Sequence, residues 1–275
     1  MGTVFAVGTV FAAGTGLAGA GGAARRGRPS GGGPASPVRP RGTQRAHHLV
    51  GLAQIEAARL ELAGVIRPTP AVASDSLGRW CGRPVWLKPE QLQRTGSFKI
   101  RGAHHLLAGL PPDTPVVAAS AGNHAQGVAL AASMLGLRAT VFMPVEASLP
   151  KVQATRAYGA EVVLGGATVD DAIADARAHA AAFRAVYVPP FDDPAVIAGQ
   201  GTIGLELLDE VPGLDTVVVA VGGGGLASGV GAAVKLRDPR VRTVGVMAVG
   251  AASIARSLEA GAPGAAPARR PPAAP

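Results

Sequence analysis

The strongest constraint on the fold is an alternation of short β-branched apolar runs with helical stretches that begins at Val85. Val85–Lys88, Val116–Ser120, Ala139–Met143, Glu161–Leu164, Val186–Val188, Val217–Val221 and Thr243–Met247 read as strands. Between them, 97–109, 122–136, 148–158, 168–184, 196–211 and 225–237 read as helices. Such alternation predicts right-handed βαβ crossovers and mostly parallel sheets. The strand runs are apolar throughout rather than alternating, as strands covered on both faces require. Upstream, residues 51–64 read as an amphipathic helix with Leu52, Ile55, Leu60 and Leu62 near one side, broken by Pro68 and Pro70. A short helix, Ala251–Leu258, follows the last strand.

The flanks carry a different composition. Residues 1–45 are rich in Gly, Ala, Arg, Pro and Ser and are expected to lack order, as is the Ala/Pro/Arg-rich stretch 259–275. The formal charge of +8 invites a nucleic-acid reading. However, 1–45 hold six arginines and no acid, and Arg269 and Arg270 lie near the end. Without those eight, 18 basic side chains face 18 acidic ones, so the body is formally neutral and no nucleic-acid partner is expected. Residues 1–24 are uncharged and contain a repeat, Gly2–Ala6 and Gly8–Ala12. Their arginines follow the apolar run instead of preceding it, so neither an export signal nor a membrane span is expected. Cys81 is the sole cysteine, which excludes an internal disulfide and fits a reducing, cytoplasmic compartment.

Three segments carry candidate chemistry. Gly222, Gly223, Gly224 and Gly225 follow the run Val217–Val221 and open the helix beginning at Leu226. Consecutive glycines let backbone N–H groups converge at a helix N-terminus, where an anion is favoured; a plain tight turn is the alternative. The pattern is not G-x-G-x-x-G and lacks a suitably spaced acid for a ribose, which disfavours a nicotinamide site. Lys99, preceded by Gly96, Ser97 and Phe98, lies at a predicted helix start, where a solvated lysine opposes the helix dipole. A desolvated amine there is a Schiff-base nucleophile, whereas an isolated lysine is ordinarily a surface residue. Ser120–Gly127 spans a strand-to-helix junction, where Asn123 can donate and Ser120 with exposed N–H groups can hold a carboxylate. An ordinary helix cap is the alternative. His124 is either a general base or a packed histidine.

Taken in order, these segments resemble the fold-type II pyridoxal-phosphate enzymes, and within them the threonine dehydratase and serine dehydratase/racemase group. The resemblance spans about residues 50–258 and rests on eight ordered segments: Ala63–Pro70, Leu87–Glu90, Ser97–Ala103, Ser120–Gly127, Ala154–Ala160, Pro190–Asp193, Val196–Thr202 and Gly222–Leu226. It implies a tryptophan-synthase-β-like α/β fold with two parallel-sheet, three-layer domains. The large one would comprise 46–114 and 193–258, and a small mobile one 115–192. It also implies pyridoxal 5'-phosphate, carried by Lys99 as a Schiff base. Phe98 would pack beside the ring, Asn123 bond the ring hydroxyl, and Gly222, Gly223, Gly224, Gly225 and Leu226 hold the phosphate. Ser120, Ala121 and Gly122 would bind the substrate carboxylate.

The implied reaction is elimination of water from L-threonine or L-serine, giving a 2-oxo acid and ammonia. Serine racemases of this group carry a serine where this chain has Ala121, which favours elimination over racemisation. Two departures stand out. Met247 replaces a glutamate that ligates a cation in metal-dependent members, so no metal is expected. The pattern also fades after Leu258, so the large domain is expected to be cut short on its C-terminal side, with a catalytically impaired relative as the alternative reading. The group's usual state implies a homo-oligomer.

Overall fold

The computed structural model describes residues 9–14 and 50–262. Among the described residues, nine strands form two sheets. The four-stranded sheet contains β4 (Val116–Ala119), β5 (Ala139–Met143), β6 (Glu161–Leu164) and β7 (Val186–Tyr187), in the order β6-β5-β4-β7. Every pairing in it is parallel. The intervening helices are α4 (Asn123–Met134), α5 (Leu149–Ala157) and α6 (Val169–Phe183). Side-chain alternation divides β4 between two cores. Val116 and Ala118 join Val128, Val141 and Met143 in one, while Val117 and Ala119 join Phe142, Ala172 and Ala176 in the other. The sheet is therefore covered on both faces.

The five-stranded sheet has the order β2-β3-β1-β8-β9, formed by β1 (Thr9–Gly14), β2 (Val72–Ala73), β3 (Val85–Pro89), β8 (Leu214–Ala220) and β9 (Arg242–Val246). It is mixed rather than parallel. Only β8–β9 is a parallel pair, whereas β2–β3, β1–β3 and β1–β8 are antiparallel. The reason is local for β2 and β3, which are joined through the short helix α2 (Asp75–Cys81), too brief a connection for a parallel crossover.

β1 also departs from the expectation that all of 1–45 lacks order. The Thr-Val-Phe run has high β-propensity, and the strand pairs on both edges, with β3 and with β8. The rest of that tail, and the stretch after Ala262, lie outside the described residues. Among the described residues no helix is long and apolar enough to cross a membrane.

Helices α1 (Leu52–Glu61), α3 (Lys99–Ala108), α7 (Pro194–Glu210) and α8 (Gly225–Arg237) pack together beside this sheet. In α1 the buried face is Ile55, Ala58 and then Leu62 just past its end, whereas Leu60 is exposed, contrary to its expected place in the apolar stripe. The three- and four-residue spacing of 55, 58 and 62 explains this, since Leu60 falls on the opposite side of the helical wheel. The helix stops at Glu61, before the prolines, through a turn in which Gly64 takes φ +79°. A last helix, α9 (Ser253–Ala260), starts and ends two residues later than expected.

α3 crosses α7 at backbone contact. A Cβ on Gly102 would lie 2.6 Å from the Val196 carbonyl oxygen, and one on Gly199 2.6 Å from the Gly102 Cα. Ions lock the same crossing. Arg101 is fully buried and donates from Nε (2.9 Å) and Nη2 (2.8 Å) to the buried Glu90 carboxylate, and from Nη1 to Thr202 Oγ1 (3.0 Å) and to Glu206. Lys88, also fully buried, pairs with Glu206 and Glu210, each at 2.8 Å. Burial alone would push the Glu206 carboxyl up, but Arg101 and Lys88 outweigh it and hold the group below the usual range. This cluster fixes the first turn of α3, where Lys99 sits.

Candidate active site

Lys99 is the first residue of α3. The chain reaches it through a left-handed turn, with φ +62° at Thr95 and +70° at Gly96, a costly conformation for threonine that redirects the backbone sharply. Phe98 is buried in the core with Val219 and Leu226. The Lys99 ammonium donates to the Pro190 carbonyl at 2.6 Å and lies 5.2 Å from the Phe98 ring centroid. Burial pulls its pKa down from 10.5 to about 8. A substantial fraction of the amine is thus neutral and nucleophilic in mildly alkaline solution.

The other two candidate segments converge on this amine. α4 lies against Lys99 so closely that a Cβ on Gly127 would sit 3.1 Å from the lysine's own Cβ. Asn123 starts that helix one turn earlier and the loop Ser120-Ala121-Gly122 leads into it, while His124 in the same turn feels the Lys99 charge. Ser120 Oγ accepts from the Gly122 N–H at 3.1 Å, and Asn123 Oδ1 accepts from Lys151 Nζ at 3.1 Å.

The glycine loop is reached through the segment after β7. Pro190 takes the Lys99 proton donor, and its neighbour Phe191 packs on the loop. A Cβ on Gly223 would lie 2.3 Å from the Phe191 ring, and one on Gly225 2.7 Å from the Phe191 carbonyl oxygen. Gly224 takes φ +96°, closed to most side chains. These residues therefore require glycine, and a bare backbone loop leads into α8, whose first-turn N–H groups have no partner within the helix. Leu226 buries its side chain beside Phe98, which anchors the loop to the lysine's core.

His124 proves to be a packed histidine. Its Nε2 lies 2.9 Å from the Val188 carbonyl, which can only accept, so the ring nitrogen donates. Burial, then the nearby Lys99 charge, lower its pKa to about 4 despite that hydrogen bond, so the ring stays neutral near pH 7. Sequence reasoning passed over two groups that the structure brings to the site. Pro190 and Phe191 were visible as a motif but not as links between Lys99 and the glycine loop, because a backbone carbonyl leaves no residue-type signal. Lys151 lies 52 positions beyond Lys99 in a different βα unit, and only the fold joins it to Asn123.

A buried amine with a lowered pKa, linked through Pro190 and Phe191 to a glycine loop at a helix N-terminus, has the donor set of a phosphorylated aldehyde site. The family model described as "Pyridoxal-phosphate dependent enzyme" matches residues 62–274. The chain belongs to this family. In this member of the family the lysine, the glycine loop and the polar loop come from three different connections of the chain, after β3, β8 and β4. The residues would fit the cofactor: Gly223, Gly224 and Gly225 are closed to side chains and leave backbone donors, and Lys99 carries a buried amine that an aldehyde could take up.

Similarity to named proteins is substantial. An L-threonine ammonia-lyase of Thermotoga maritima is 47% identical over 216 residues, covering 78% of this chain and 54% of that protein. The catabolic L-threonine dehydratase TdcB of Escherichia coli is 44% identical over 215 residues, covering 77% of this chain and 65% of that protein. The chain thus spans about half to two thirds of the length of these relatives. Among solved structures, maize serine racemase superposes with a TM-score of 0.77 at 33% identity, covering 81% of this chain and 69% of that one. The processed form of threonine deaminase isoform 2 from Solanum lycopersicum gives 0.74 at 37% identity, covering 82% and 62%.

Proposed function

We propose that this chain carries the site of an ammonia-lyase that acts on a small hydroxy amino acid, threonine or serine, and releases a 2-oxo acid and ammonia. The observation that carries the reading is the convergence of Lys99, the Ser120–Asn123 loop and the Gly222–Gly225 loop, supported by relatives named for threonine deamination. When bound, pyridoxal phosphate supplies an electron sink for charge developing at the substrate α-carbon.

The chain's own residues do the rest. Gly222, Gly223, Gly224, Gly225 and Leu226 offer backbone N–H groups and the α8 N-terminus to the phosphate. Ser120, Ala121 and Gly122 present amide donors at the start of α4 to the substrate carboxylate. Phe98 walls the pocket beside the amine, and Asn123 donates to the ring hydroxyl. Lys99 would hold the cofactor through its amine, and the freed Nζ would be the base that takes the substrate's α-proton. A pKa of about 8 suits that exchange, because the amine can be deprotonated near neutrality yet still hold a proton afterwards. Ala121 carries no ionisable group for proton delivery, which supports elimination over racemisation.

The test is the visible absorbance of the purified chain with pyridoxal phosphate, beside Lys99→Ala. We expect a band that needs Lys99, forms faster as pH rises through about 8, and shifts on adding threonine or serine with release of 2-oxo acid. A soluble, folded sample lacking the band refutes the site. A band without 2-oxo acid release refutes the lyase reading alone.

A further inference from the structure

We propose that Lys151 is a positioning residue for the cofactor ring, acting through Asn123. The inference rests on the cofactor reading above and names a residue that reading does not use. Lys151 is the third residue of α5, in its first turn, where a cation opposes the helix dipole. It makes no salt bridge among the described residues, so no carboxylate explains its place. Instead its half-buried side chain reaches out of α5 to α4, and Nζ donates to Asn123 Oδ1 at 3.1 Å.

That contact decides which way Asn123 faces. An amide's oxygen and nitrogen are told apart only by their partners, and an ammonium has donors and no acceptor. The end of Asn123 that meets Lys151 must therefore be the carbonyl oxygen. Its Nδ2 is left as a pure donor, four residues before Gly127, whose backbone packs on Lys99. Without Lys151 the amide loses its fixed sense and can present oxygen to the ring hydroxyl. A fixed donor at that position would favour the deprotonated ring oxygen, which accepts the hydrogen bond more strongly than the hydroxyl does. Asn123 and Lys151 sit on adjacent helices packed on the same sheet face, so the shared core holds them together.

The experiment uses the full 275-residue chain and pyridoxal phosphate as the probe. Cofactor affinity and the ratio of the visible to the near-ultraviolet band, which reports protonation of the ring hydroxyl, are measured for the parent, Lys151→Met, Lys151→Arg, Asn123→Ala and the Lys151→Met/Asn123→Ala double variant. Lys151→Met is expected to weaken cofactor binding about tenfold, the loss typical of one charge-assisted hydrogen bond. The visible band should fall relative to the near-ultraviolet band. Lys151→Arg should restore both, and adding Lys151→Met to Asn123→Ala should change neither. Unchanged affinity and ratio in Lys151→Met, or effects of the two substitutions that simply add, overturn the proposal while the parent's Lys99-dependent band stands. No such band in the parent overturns both readings. Should Lys151→Met fail to fold, Lys151→Gln carries the same test, since it keeps a polar end but is one atom shorter, uncharged and able to accept as well as donate, so it does not fix the amide's sense and the ratio must still shift.

Discussion

Val116 and Ala118 of the four-stranded sheet face one helical layer, Val117 and Ala119 face the other, and none of its strands buries a charge. β3 of the five-stranded sheet instead delivers Lys88, wholly buried, into a cluster with Glu90, Arg101, Glu206 and Glu210. Both regions support Lys99, one through the Gly127 contact and the other through α3 itself. The contrast separates two ways of holding a reactive group. Apolar packing is non-directional and yields by degrees when atoms are removed. An ionic knot is directional, fixes one helix register, and fails abruptly when a partner is lost.

The largest expected effect breaks the knot. Arg101→Met leaves the buried Glu90 carboxylate with only the Thr69 hydroxyl, at 2.6 Å, and removes a partner from Glu206. We expect a loss of about 3–5 kcal/mol in urea unfolding, from an uncompensated buried charge. A loss below about 1 kcal/mol would show that the site's two supports do not differ in kind.

How much of this was legible beforehand depends on the interaction. All seven strands from Val85 onward were readable, because β-branched runs and helical periodicity are local signals, and Lys99 and the glycine loop stood out by residue type in context. The knot was not readable. Lys88, Glu90, Arg101 and Glu206 look like surface residues by type, and only the Gly102–Gly199 crossing buries them together. The mixed pairing of the five-stranded sheet was hidden for a related reason: strand direction follows from chain connections, not from the composition of the strands. Leu60 shows the limit of a stripe drawn by eye, since a leucine between the buried positions is simply left in water.

The next effect is acid lability on the small-sheet side. His124 in the cofactor-free chain has a folded pKa of about 4 against an ordinary 6.5. Between those values the unfolded chain binds the proton and the folded chain does not, so stability is full above 6.5 and falls as pH drops toward 4. The two pKa values imply a loss on the order of 3 kcal/mol across that window. Urea midpoints at stepped pH check it. His124→Gln should flatten the dependence, and an unchanged slope would mean the ring titrates freely.

Removing apolar mass from the same region should cost less than breaking the knot. Met143 is fully buried in the core it shares with Val128 and Val141. Met143→Ala should cost roughly 2 kcal/mol, the low end for such truncations, because small alanine neighbours can close part of the cavity. A cost equal to that of Arg101→Met would erase the distinction between graded and abrupt support.

The smallest effect sharpens the comparison from outside the core. Arg59 on α1 pairs with Asp209 on α7 at 2.7 Å, joining helices that also bear on the knot. Here both side chains are 45% and 43% exposed. Water competes for each charge, and ordering two mobile side chains offsets most of the attraction. Asp209→Asn should therefore shift stability by less than about 0.5 kcal/mol, and the shift should vanish in high salt. The same ion chemistry, exposed here and buried in the knot, then differs in effect severalfold, which assigns the knot's rigidity to its burial and not to its charges. A salt-insensitive loss above about 1 kcal/mol for Asp209→Asn would assign it to the charges instead.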